Sequence, residues 1–250
     1  MFLAVDIGNT NIKFGIYDGE ILVKKFHIPT DRDASSDELA TAIRASCPFP
    51  VNASLACSVV PEINDRLNEA ISHVFGITPT FVKNDSNLGL DIRYEPLSAA
   101  GTDRLVNVFS AVEKYGGPCI VCSFGTALTM DAVDKNRVLR GGLIAPGMKT
   151  MARSLNLYTS KLPDVAIAKP ASAIQNTTVG SIQSGIVYGY FGLVTSLIER
   201  VKSESSMDAK VIATGGFAQM ISENIDLIDV IDENLLLDGL MRLNKRYQPA

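Results

Sequence analysis

Tryptophan is absent from this chain, histidine occurs twice, and cysteine occurs four times in 250 residues. With only His27 and His73, and no second cysteine pair at metal spacing, the sequence offers no structural zinc site. Cys47, Cys57, Cys119 and Cys122 are too few for a secreted disulfide scaffold and fit cytosolic thiols. Cys119-Ile-Val-Cys122 matches C-x-x-C, but it lies in an apolar run that reads as a strand, where residues three apart point to opposite faces. It reads as buried small hydrophobes. A basic excess is missing too: 23 Lys and Arg against 27 Asp and Glu leave a net charge of −4, no footprint for nucleic acid or an anionic membrane surface. The opening Met-Phe-Leu-Ala-Val-Asp has no basic segment and carries an acid at position 6, so no signal peptide and a cytoplasmic location are expected.

Charge is also absent from Asn176 to Ile198, which raises the question of a membrane span. Gln183, Ser181, Ser184, Thr195 and Ser196 make the stretch too polar for one, and its apolar residues recur at helical spacing. Gly185, Gly189 and Gly192 fall at i, i+4 and i+7, one helix face that admits another backbone closely, in a soluble core or at a dimer contact.

What is present is an ordinary globular composition, 46% hydrophobic and 20% charged, long enough for a large core. Leu3-Ala4-Val5-Asp6 reads as a strand, Gly8 to Asn11 as a turn, and Ile12 to Tyr17 as a second strand ending at Asp18-Gly19. The same unit returns at mid-chain: strand Ile120 to Ser123, turn Phe124-Gly125-Thr126-Ala127, strand Leu128 to Val133. Aligning the glycines pairs Asp6 with Ser123, Gly8 with Gly125 and Asn9 with Thr126 at one constant offset. Helical patterns at Ser36 to Ser46, Glu62 to Phe75, from Gly101, and near Asn234 to Lys245 alternate with strands at Ala53 to Val59 and Lys210 to Ala213. That alternation argues for α/β architecture. A boundary is expected near Tyr115-Gly116-Gly117-Pro118, giving an N-terminal domain over 1–117 and a C-terminal domain over 118–250. A third small-residue element, Thr214-Gly215-Gly216, joins a strand to a helix, where backbone N–H groups can face phosphate or ribose.

The set Asp6-Ile7-Gly8-Asn9-Thr10-Asn11, a second Gly-Thr turn and a late Thr-Gly-Gly resembles the two phosphate loops and adenosine loop of the actin-like sugar kinase and heat-shock ATPase superfamily. Gly101-Thr102-Asp103-Arg104, Phe124 to Ala127, Gly141 to Gly147 and Thr178 to Gly185 narrow the resemblance to the type III pantothenate kinases. The resemblance spans nearly the whole chain and implies two similar RNase H-like domains with a nucleotide cleft between them. It implies ATP-dependent phosphorylation of pantothenate to 4'-phosphopantothenate, the first step toward coenzyme A, by a homodimer.

The same resemblance implies the roles of individual residues. Asp6 would hold Mg²⁺, while Ile7, Gly8, Asn9, Thr10, Asn11, Gly125, Thr126, Gly215 and Gly216 would bind nucleotide, with Lys13 either near phosphate or a solvated charge. Asp6 in an apolar strand also needs a partner on physical grounds, since burying a lone carboxylate is very unfavourable. Asp103 would be the general base and Arg104 the anchor of the substrate carboxylate, with Tyr94, Gly101, Thr102 and Thr178 as further substrate contacts. One departure stands out. Where the family usually carries an aspartate that helps hold a monovalent cation, this chain has Ser123, so weak dependence on K⁺ or NH₄⁺ is expected. A catalytically weakened, regulatory homologue is the alternative reading, against which stand Asp6, Asp103 and Arg104.

Overall fold

The structure is a computed structural model that describes residues 1–205 and 207–247. Its strands are β1 (Phe2–Ile7), β2 (Asn11–Asp18), β3 (Ile21–Pro29), β4 (Ala53–Ser58), β5 (Thr80–Phe81), β6 (Asp91–Ile92), β7 (Cys119–Phe124), β8 (Ala127–Val133), β9 (Val138–Pro146), β10 (Lys210–Thr214) and β11 (Val230–Ile231). Its helices are α1 (Ser36–Ser46), α2 (Pro61–Phe75), α3 (Thr102–Tyr115), α4 (Met148–Tyr158), α5 (Thr178–Ser205), α6 (Ala218–Ser222) and α7 (Leu235–Tyr247). Two compact units result. One joins Met1–Lys114 with the segment from Asn234, and the other is Tyr115–Glu233.

In the first unit a five-stranded sheet runs β3-β2-β1-β4-β5. The continuous apolar run of β1 places it inside the sheet, antiparallel to β2 and parallel to β4, with every residue buried. Leu3, Val5 and Ile7 share a core with Leu39 and Ile43 of α1 and Ile63, Leu67 and Ile71 of α2. Both helices are cut at defined points. Ser35 and Glu38 form a reciprocal capping box on α1, and α2 starts with Pro61 at its first turn and stops at a left-handed Gly76. Strand alternation leaves Asp6 on the opposite face.

The segment from Asn234 departs from the expected halves. Although α7 follows the second unit in sequence, it packs on β1 and β4. Leu235, Leu237, Leu240, Met241 and Leu243 bury there, and Gly239 has no room for a side chain, since a Cβ would lie 2.9 Å from Ser110 and Val106 of α3. Asp238 ties it down, accepting from Tyr17 Oη at 2.7 Å and Lys114 Nζ at 2.6 Å. The first domain therefore closes with the last helix of the chain, and the boundary falls at Lys114/Tyr115 instead of Gly117/Pro118.

The second unit repeats the plan. β7 lies between antiparallel β8 and parallel β10, with β9 on β8 and β11 on β10. Ile120, Cys122 and Phe124 share a core with Met148 and Ala152 of α4 and Ile186, Val187, Tyr190, Val194 and Ile198 of α5. By length and composition alone α5 is apolar enough to cross a membrane, so its polarity does not settle the question as the sequence reading had it. Its apolar face is spent inside this core. Gly185, Gly189 and Gly192 are exposed, and a Cβ at each would meet nothing within 4 Å. They form no close contact within the described chain.

Candidate active site

The turn after β1 starts from a row fixed by strand register. Asp6 on β1 stands opposite Lys13 on β2 and beside Cys57 on β4. Lys13 Nζ donates to Asp6 Oδ2 at 3.0 Å, and the Cys57 thiol lies 3.8 Å from Oδ1. Asp6 is 4% exposed, so the partner that its burial requires is this lysine, whose side chain stays about half exposed. The neighbouring Asp6 carboxylate raises the Lys13 pKa above the ordinary lysine value, against burial, which pulls it down. Burial likewise drives the Cys57 thiol well above its ordinary value, with Asp6 and Asp103 reinforcing the effect. The turn after Asp6 is braced: Gly8 N–H donates to the Asn11 carbonyl at 3.1 Å, Thr30 Oγ1 to the Gly8 carbonyl at 2.6 Å, and Arg32 to Asn9 Oδ1 at 3.1 Å.

Asp103 stands in the first turn of α3. Thr102 Oγ1 donates to the Ser58 carbonyl at 3.0 Å, so the start of α3 is tied to the end of β4. The Asp103 carboxylate folds back, accepting from Arg104 N–H at 2.8 Å and lying 2.5 Å from where a Cβ on residue 101 would sit. Gly101 leaves it that space. Arg104 is 8% exposed, and its guanidinium lies 5.3 Å from the Tyr94 ring centroid and donates to Tyr94 Oη at 3.3 Å. Of the expected residues of the first unit, Asp6 and Lys13 pair, Asp103 lies within electrostatic reach of Lys13, and Arg104 and Tyr94 touch. Cys57 was missed by sequence reasoning, and its parallel pairing with Asp6 leaves no short-range signal.

The second loop is built on the matching row. Ser123 on β7 stands opposite Thr129 on β8 and beside Thr214 on β10, hydroxyls where the first unit has charges. Two glycines close on the loop. A Cβ at Gly147 would lie 2.2 Å from the Gly125 carbonyl oxygen, and one at Gly215 would lie 2.6 Å from that of Phe124. Gly215 has φ of +95°, open to glycine and strained for other residues. Gly147 N–H donates to the Thr126 carbonyl at 3.0 Å, and Thr150 Oγ1 donates to the same oxygen at 2.6 Å. The structure thus gathers Ser123, Gly125, Thr126 and Gly215, with Gly216 exposed beside them. Gly147, the end of the Gly141 to Gly147 motif, and Thr150 join them in a role the sequence had not assigned. Thr178 opens α5, whose first turn is capped by Thr177, and it lines a separate groove of about 790 Å³ with Met151, Leu155 and Ile182.

The sequence model of the type III pantothenate kinases matches residues 2–200. The chain belongs to that family. The type III pantothenate kinase of Halalkalibacterium halodurans is 38% identical over 252 residues, covering 98% of this chain and 99% of that one. Among solved structures, a Campylobacter jejuni protein described as a Baf family transcriptional activator superposes with a TM-score of 0.62 at 19% identity over 98% of both chains. One described as a 2-dehydro-3-deoxygalactonokinase from Sinorhizobium meliloti reaches 0.61 at 13% identity, over 100% of this chain and 98% of that one. At such identities they speak for the fold alone, which is the expected two-domain α/β fold of the actin-like ATPases and sugar kinases.

Proposed function

We propose that the protein phosphorylates the primary hydroxyl of pantothenate with ATP, giving 4'-phosphopantothenate and ADP. Membership in the family carries the reaction, and the room that Gly101 leaves for the Asp103 carboxylate at the start of α3 supports its mechanism. Asp103 accepts the hydroxyl proton as the new O–P bond forms and the bond from the γ-phosphorus to the β–γ bridging oxygen breaks. A loose transition state asks for little deprotonation early, so an ordinary carboxylate serves. Arg104, held by Tyr94 through its ring and hydroxyl, would present its fork to the substrate carboxylate. The backbone of Gly8 to Asn11 faces phosphate in this reading.

No cluster of three or more His, Cys, Asp or Glu side chains able to hold a metal occurs among the described residues. That suits Mg²⁺, which binds through one or two carboxylates, waters and nucleotide phosphates. Asp6 would hold it, and when bound it supplies charge neutralisation at the phosphate oxygens. The hydroxyls of Ser123, Thr129 and Thr214 offer a monovalent cation only neutral oxygens, in keeping with weak K⁺ dependence. The enzyme acts as a cytoplasmic homodimer in this reading, with the exposed glycine face of α5 at the contact.

A coupled ADP-release assay with pantothenate and a panel of small hydroxy-acids, run beside Asp103→Asn, tests this. Turnover of pantothenate is expected, falling by about 100-fold or more in the variant. Turnover of none of the compounds, or a variant as fast as wild type, would sink it.

A further inference from the structure

We propose that Lys149 and Phe217 form a nucleotide clamp over the second phosphate loop, Phe217 taking the face of the base and Lys149 a phosphate oxygen. The proposal rests on the kinase reading and adds two residues to it.

The two glycines that close on the loop fix the geometry. Gly147 lies against Gly125 and Thr126, and Gly215 against Phe124. Two residues beyond each glycine the chains meet again, with Lys149 Nζ 5.8 Å from the Phe217 ring centroid. The pair is therefore anchored to the loop from both sides, through backbone contacts that leave no slack for a Cβ.

The chemistry of the pair fits an anion carrying a planar ring. Lys149 is exposed and pairs with no carboxylate among the described residues. It sits in the first turn of α4, which holds no acid, and there the helix macrodipole opposes an ammonium. Only the ring face compensates it. Phe217, partly buried, packs against the core of the second unit and follows the exposed Gly216, so a base reaches its ring on the face that Lys149 vacates as the ammonium turns to a phosphate. An ammonium and an aromatic face beside the second loop together match a nucleoside phosphate better than pantothenate, which has no ring to stack.

Calorimetric titration of the full-length protein with ADP and with adenosine tests the clamp in wild type, Lys149→Met and Phe217→Leu. Lys149→Met is expected to weaken ADP about tenfold and leave adenosine unchanged, since it removes one charge-assisted hydrogen bond. Phe217→Leu is expected to weaken both ligands by about fivefold or more, from lost stacking. Both variants are expected to keep the far-UV circular dichroism spectrum of wild type, which shows that they are folded. Variants that bind ADP as wild type does, or a Lys149→Met that weakens adenosine as much as ADP, overturn the clamp. Wild type that binds ADP but leaves pantothenate untouched overturns the kinase reading while the clamp stands. Wild type that binds no ADP overturns both.

Discussion

A carboxylate buried in a β-strand needs a counter-charge, and Asp6 finds one directly across the hairpin in Lys13. The need for a partner was legible in the sequence; its identity was not. Lys13 was read as either a phosphate contact or a solvated charge, because residue spacing alone does not fix hairpin register. With Ile7 paired to Ile12 across the turn, Asp6 and Lys13 become opposite neighbours. Gly101 shows a different kind of dependence. Its motif flagged it as a substrate contact, whereas the structure gives it a steric duty, making room for the Asp103 carboxylate. Gly101→Ala therefore is expected to cost activity far more than stability. A Cβ 2.5 Å from Asp103 Oδ1 must push the carboxylate aside, and the side chain can swing without unfolding α3. Steady-state kinetics beside thermal melting checks this, with kcat expected to fall about tenfold or more from misplacement of the base and the melting temperature expected to move little.

At the scale of elements, the two hairpins were legible because apolar strands flank glycine turns, and α1 matched its predicted bounds because a capping box marks its start. The strands β3 and β9 and the helix α4 were not. β9 carries Gly141 and Gly142, which strand propensities disfavour, yet a Cβ at Gly142 would lie 2.0 Å from the Met130 carbonyl oxygen, so close pairing with β8 requires glycine. The repeat also explains the loss of charge in the second loop. The row Asp6, Lys13, Cys57 becomes Ser123, Thr129, Thr214. Replacing Na⁺ by K⁺ in a steady-state assay is accordingly expected to change the rate by less than about twofold, and strong activation by K⁺ would contradict the reading of Ser123.

The strands also set the behaviour of the thiols. Cys119 and Cys122 are buried on β7, and burial raises the Cys119 pKa to about 12 and carries Cys122 higher still. A thiol whose pKa is higher folded than unfolded contributes stability that is intact below the unfolded value of 9.0 and is lost as pH climbs toward the folded one. Thermal stability is expected to decline between pH 9 and pH 12, and this part of the decline should shrink in a Cys119→Ala, Cys122→Ala double variant. All four cysteines should resist alkylation at pH 8 until the protein is unfolded.

For the whole molecule, the order of elements suggested two halves, and the structure returns α7 to the first of them. Sequence order gives no sign of that return, because an amphipathic helix fits either sheet. Its buried leucines on β1 and β4, with the contacts of Gly239 and Asp238, assign it. The glycine face of α5 is the converse case: its spacing was evident, and the structure shows it exposed. If that face joins two copies, Gly189→Glu is expected to shift the protein from dimer to monomer in sedimentation velocity without lowering its helix content. A dimer unaffected by the charge would place the contact elsewhere.

The central claim is a chemical one, that phosphate arrives on the hydroxyl of pantothenate by way of Asp103. Phosphorus NMR of the purified protein with ATP, Mg²⁺ and pantothenate tests it most directly. A phosphomonoester signal is expected to grow in step with ADP, to require pantothenate, and to be nearly absent over the same interval with Asp103→Asn. Loss of ATP with only inorganic phosphate appearing, or a phosphomonoester formed equally fast by the variant, would contradict it.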